Sequence, residues 1–174
     1  MLSIATMTVQ RQEICRRRPG IAFFIFVTGL LALVGIDSAV QAATTERVVV
    51  NHYSGLAIEG FDPVAYFTDA AAVQGLPDFE AAQAGAVWRF RNEGNRASFV
   101  AHPEIYGPQF GGYDPVALGR GVTYAGNPRF WAVAGQRLYL FGREENRDAF
   151  VADPGRFLKD ATARWPELEQ TLAQ

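Results

Sequence analysis

Cysteine is nearly absent from this chain. Its 174 residues include a single thiol, Cys15, which stands ahead of an apolar run near the N-terminus. Everything beyond that run therefore lacks a disulfide, a thiolate nucleophile and any sulfur ligand for a metal. Histidine is scarce too: His52 and His102 are the only two, which limits imidazole ligation and general acid–base chemistry. There is no strong excess of charge of either sign, the formal net charge being −2. Beyond Ala42 the chain carries 12 basic and 16 acidic side chains, a net of −4. A mildly acidic surface repels a phosphate backbone, so nucleic acid is not an expected partner. With 49% hydrophobic and 20% charged residues, the composition is that of ordinary globular material and fits one domain.

The N-terminus carries the three parts of a secretory signal. Arg16-Arg17-Arg18 forms a basic head, Ile21 to Ile36 an uncharged apolar middle, and Ser38-Ala39-Val40-Gln41-Ala42 a small-residue end. The apolar middle is shorter than the roughly 20 residues of a comfortable membrane span. The expectation is a signal peptide over 1–42, with an uncleaved anchor as the alternative, and a periplasmic or secreted location. The membrane then enters only through this segment if it stays uncleaved.

The remainder repeats itself. Gly60-Phe61-Asp62-Pro63-Val64-Ala65 is echoed by Gly112-Tyr113-Asp114-Pro115-Val116-Ala117, and Val87-Trp88-Arg89-Phe90 by Leu138-Tyr139-Leu140-Phe141. Asn95-Arg96-Ala97-Ser98-Phe99-Val100-Ala101 is echoed by Asn146-Arg147-Asp148-Ala149-Phe150-Val151-Ala152. The offset is 52 at the first block and 51 at the others, the pattern of a duplication. In each copy an Asp-Pro turn comes first, because proline fixes φ and the aspartate bonds nearby backbone. A short strand is expected at Ala65-Tyr66-Phe67. Hairpin arms are expected at Ala86 to Phe90, Phe130 to Val133 and Arg137 to Phe141, where aromatic and β-branched residues surround turn glycines.

Helices are expected over about 93–101 and 143–152, with Glu93, Glu144 and Glu145 in their first turns and Pro103 and Pro154 as stops. A further helix is expected from about 154 to 164, with a separate tail helix after Pro166. The fold class that follows is α+β: tandem duplicated β-hairpin-plus-helix units packed about a pseudo-twofold, after an N-terminal hydrophobic signal helix. The domain plan is a flexible lead-in over 43–55, one domain over 56–166 with repeats at about 60–106 and 112–157, and a tail over 167–174.

Four blocks carry a resemblance. Ala57 to Phe67, Trp88-Arg89-Phe90, Phe99 to Tyr106 and Pro108 to Tyr113 are similar to the exported proteins of the YHS-domain family. The resemblance spans about 56–166. It implies a hairpin-and-helix fold, and the wider family includes cysteine-bearing modules associated with metal binding. Their sulfur positions fall here on Asp62, Ala65, Arg91 and Asn95 in the first copy, and on Asp114, Ala117, Gly142 and Asn146 in the second. None is a cysteine, so thiolate chemistry for zinc or copper does not follow.

Other constellations are weak. His102 stands at an expected helix C-terminus and His52 in the lead-in. Neither Ser54 nor Ser98 lies in a nucleophile elbow, and no acid–base pair declares itself. No catalytic residue is assigned, no cofactor is indicated, and the protein is not expected to be an enzyme. The preferred reading is a non-catalytic periplasmic binding or accessory module. Its ligand would be a small apolar or aromatic molecule, or a periplasmic protein, held at a seam between copies around Asp62, Tyr66, Gly111, Gly112, Tyr113 and Asp114. The alternative is a metal- or cofactor-handling protein using oxygen and nitrogen ligands, which requires at least three of Asp62, Asp114, His102, Glu59 and Tyr113 to converge.

Overall fold

The computed structural model describes residues 47–172; the signal peptide expected over 1–42 lies outside the described residues. Two antiparallel two-stranded sheets, each with a helix beside it, organise the chain. The first sheet pairs β1 (Leu76–Gln83) with β2 (Ala86–Phe90), and the second pairs β3 (Asn127–Ala134) with β4 (Arg137–Phe141). Each hairpin turns through two residues with positive φ, Ala84-Gly85 in one and Gly135-Gln136 in the other. That is the geometry of a tight turn whose twist matches its strands. The register shifts between Leu76 and Glu80 in β1, and again between Asn127 and Trp131 in β3.

A short helix, α1 (Ala65–Thr68), precedes the first hairpin, and α4 (Pro115–Leu118) precedes the second. The strand expected at Ala65-Tyr66-Phe67 is thus a helical turn. The cause lies in the preceding aspartate: the Asp62 carboxylate accepts the amides of Val64 and Ala65, satisfying donors that a helix start leaves open. After the first hairpin come α2 (Glu93–Ala101) and α3 (Pro103–Tyr106), and after the second α5 (Glu144–Ala152) and α6 (Pro154–Leu172). His102 and Asp153 leave helical geometry just before their prolines, and each proline then opens a new helix, where its missing N–H costs nothing.

The helix α6 runs through Pro166 without a break, against the expectation of two separate helices. Ala161, Trp165, Leu168 and Leu172 recur at helical spacing and pack with Tyr113 and Leu118. Burial of that stripe offsets the one backbone bond the proline removes.

Each sheet is held to its helix by aromatic stacking. Phe99 of α2 lies 4.8 Å from Trp88 and 5.2 Å from Phe90. Phe150 of α5 lies 5.0 Å from both Tyr139 and Phe141. Both phenylalanines are almost wholly buried, and truncating either to alanine costs about 3–5 kcal/mol. Leu138 and Leu140 of the second hairpin also enter the first core, beside Ile58, Val64 and Tyr66. The described part of the expected lead-in, from 47 to 55, is tied to this body. Val50 bridges Ala57, and the Val49 amide donates to the Gly111 carbonyl at 2.8 Å.

Candidate functional site

The two aspartates named from the sequence are the only polar or charged residues in the described core, each with no exposed surface. Such carboxylates must be saturated with donors, and they are. Asp62 Oδ1 accepts from the amides of Val64 at 2.8 Å and Ala65 at 3.3 Å. Its Oδ2 accepts from the Arg91 amide at 2.8 Å and from Asn95 Nδ2 at 2.7 Å.

Asp114 repeats the pattern. Its Oδ1 accepts from Val116 at 2.8 Å and Ala117 at 3.3 Å, and its Oδ2 from the Gly142 amide at 2.9 Å and Asn146 Nδ2 at 2.6 Å. Each carboxylate thus pins the start of a short helix to the junction of a hairpin with its long helix. Four N–H donors occupy both oxygens of each group, leaving neither turned toward a ligand. Among the described residues no buried side-chain polar atom lacks a partner, and no three His, Cys, Asp or Glu side chains gather in a way that holds a metal ion. The donor sets of the two knots do not fit a metal.

Tyr66 crosses between the modules. Its hydroxyl donates to the Pro128 carbonyl at 2.9 Å, and its ring meets Trp131 edge-on at 5.2 Å. Burial pushes its phenol well above the ordinary value, and the negative charges of Asp62 and Glu59 add to that rise. Tyr113 is buried against Trp165. Gly112 is buried as well, its carbonyl accepting from the Gly126 amide. Gly111 sits so close to the Arg47 carbonyl that no side chain fits. His102 is exposed, with Nδ1 3.5 Å from a Glu104 carboxylate oxygen, and His52 is exposed. Ser54 Oγ accepts from the Leu56 amide at 3.4 Å, and Ser98 lies within α2.

A groove of about 440 Å³ is lined by Trp88, Phe99, Pro103, Pro108 and Trp165 among others. Its size falls within the range of small-molecule sites, roughly 300–1,000 Å³. Gln83, Gln109, Glu104, Glu169 and Arg47 supply polar groups at its edges. The Trp88 indole N–H is already spent on the Gln83 carbonyl at 3.0 Å, so this tryptophan presents hydrocarbon. Of the six residues named from the sequence, Gly111 alone is among the groove's lining residues. The groove escaped sequence reasoning because Trp88, Phe99 and Trp165 belong to three separate elements.

Among the described residues no helix is long and apolar enough to cross a membrane. Comparison with family models, with curated proteins and with solved structures finds no match.

Proposed function

We propose that this chain is an exported, non-catalytic binding module of the YHS type, built from two copies of a hairpin-and-helix unit, which takes a small apolar or aromatic molecule into the groove beside Trp88 and Trp165. The observation that carries the reading is the pair of buried aspartate knots. The positions that carry sulfur in the metal-associated modules of that family are, in the first copy, Asp62, Ala65, Arg91 and Asn95. Here those four positions meet through a single carboxylate, and Asp114, Ala117, Gly142 and Asn146 meet in the same way. A hydrogen-bonded carboxylate does the joining work of a metal and leaves the fold without one. Because both groups are saturated and sealed from solvent, neither serves as nucleophile or base. Binding then falls to the groove, whose aromatic and apolar lining with several polar groups is the usual build of a small-molecule site.

The test is a fluorescence titration with N-phenylnaphthylamine, a neutral aromatic probe, on protein purified from the periplasm of a bacterial host. Saturable quenching of tryptophan emission, weakened at least about ten-fold by Trp165→Ala, supports the reading. Quenching that never saturates, or that is indifferent to Trp165, refutes it. A Glu169→Gln variant, altered at the rim alone, keeps the test informative if Trp165→Ala disturbs the packing of α6.

A further inference from the structure

A second, smaller concavity lies elsewhere on the second module, and its lining is cationic. It encloses about 160 Å³ between Ala117, Arg120, Val122, Tyr124, Arg143 and Asn146. Two of those six residues are arginines and none is acidic. Neither Arg120 nor Arg143 enters any of the ion pairs formed among the described residues. Two cations in one small pocket stand out against the net charge of −4 beyond Ala42.

The pocket has a built wall. Tyr124 lies flat against Gly142, so close that a Cβ there would stand 2.1 Å from its ring. The Arg143 guanidinium is held 5.9 Å from the centre of the same ring, a contact that orients the cation. Beneath, the Asn146 amide is anchored on Asp114. Among the acids nearby in sequence or space, Glu144 is engaged by Arg147 and Asp114 is buried under four donors, while Glu145 and Asp160 are exposed and form no ion pair with Arg120 or Arg143. The first module closes the comparable region. There Arg91 stands where the second has Gly142, and it pairs with Asp69, while Asn92 replaces Arg143 and caps α2.

We infer that the pocket of Arg120, Tyr124 and Arg143 binds a small oxyanion-bearing molecule, a phosphate or a carboxylate. Arginine presents its donors as a planar fork that matches both groups, and the volume admits one such head group rather than a large ligand. The site is separate from the aromatic groove.

The test is titration of the isotopically labelled protein with inorganic phosphate and, separately, with succinate, at constant ionic strength so that general screening does not change. Saturable amide shifts confined to Gly121, Tyr124, Gly142 and Arg143 are expected, with the affinity falling at least about ten-fold in Arg143→Ala and in Arg120→Ala. Arg96→Ala, in the first module, leaves the affinity unchanged. Tighter binding of phosphate assigns the natural head group to phosphoryl compounds, and tighter binding of succinate to carboxylic acids. Absence of saturation with both anions, shifts spread over every basic surface, or affinity untouched by both arginine variants overturns the inference. Both arginines are exposed, so the variants are expected to keep the parent's unfolding midpoint. Gly142→Ala, which displaces Tyr124, is expected to weaken binding with both arginines in place.

Discussion

The side-chain amide of Asn146 donates to the buried carboxylate of Asp114 at 2.6 Å, and together they join the N-terminal part of α5 to the start of α4. Asn95 and Asp62 do the same for α2 and α1 at 2.7 Å. Removing the carboxylate strands four donors in each case. Asp114→Ala and Asp62→Ala are each expected to lose about 3–5 kcal/mol, a large share of the roughly 5–15 kcal/mol a domain possesses. Asn146→Ala and Asn95→Ala remove one charged hydrogen bond and are expected to cost about 1.5–3 kcal/mol. Urea unfolding measures all four, and the asparagine variants remain readable if the aspartate variants do not fold.

Tyr66 ties stability to alkaline pH. Its phenol is held above its ordinary value by burial first and by the charges of Asp62 and Glu59 second. An unfolded tyrosine releases its proton near pH 10, while the folded one still keeps it. Above that pH the unfolded state therefore binds fewer protons, and stability falls as pH rises toward the folded value. Tyr66→Phe is expected to flatten that fall, although it lowers stability at neutral pH through the lost bond to the Pro128 carbonyl. Unfolding midpoints between pH 8 and about 10.5 report the slope.

Gly75 and Gly126 allow two backbones to approach. A Cβ on Gly75 would stand 2.5 Å from the carbonyl carbon of Arg89, and one on Gly126 2.5 Å from the Cβ of Leu140. Gly75→Ala and Gly126→Ala are each expected to cost about 1–3 kcal/mol by overpacking. Gly55, with nothing within 4 Å and φ of +69°, bears only the backbone penalty of about 1 kcal/mol when changed to alanine. The same urea series distinguishes the two causes.

Pro166 tests how far packing overrides local rules. Inside α6 it forfeits one intrahelical bond, so Pro166→Ala is expected to raise stability by about 1 kcal/mol, less than the full interior penalty because the site lies near the helix end. Thermal unfolding reads the gain, and a loss instead would show that the Pro166 ring contributes packing that outweighs the missing bond.

How much of this was legible in the sequence depended on the range of the interactions. The hairpin arms around Trp88 and Tyr139, and the helices closing at Ala101 and Ala152, follow from local composition and from the prolines behind them. The Asp-Pro pairs read as turns; Pro63 does lie in one, whereas Pro115 opens α4 with Asp114 as its cap. Their aspartates, however, draw two of four donors from residues about thirty positions onward, and no local pattern shows that. The same carboxylate turned the expected strand at Ala65 into a helix. Pro166 misled because the stripe from Ala161 to Leu172 packs against Tyr113 and Leu118, which lie far away in the chain. The groove is lined by Trp165 and Glu169 of α6 together with Trp88 and Phe99, a juxtaposition that only the assembled fold reveals.

The claim that carboxylate knots stand in place of metal at Asp62 and Asp114 is tested most directly by elemental analysis of the protein purified from the periplasm without chelator. The account predicts zinc, copper and iron well below one ion per chain, and a urea midpoint that does not move when EDTA is added. One ion per chain that disappears in Asp62→Asn or Asp114→Asn, with a midpoint that falls on chelation, would contradict it.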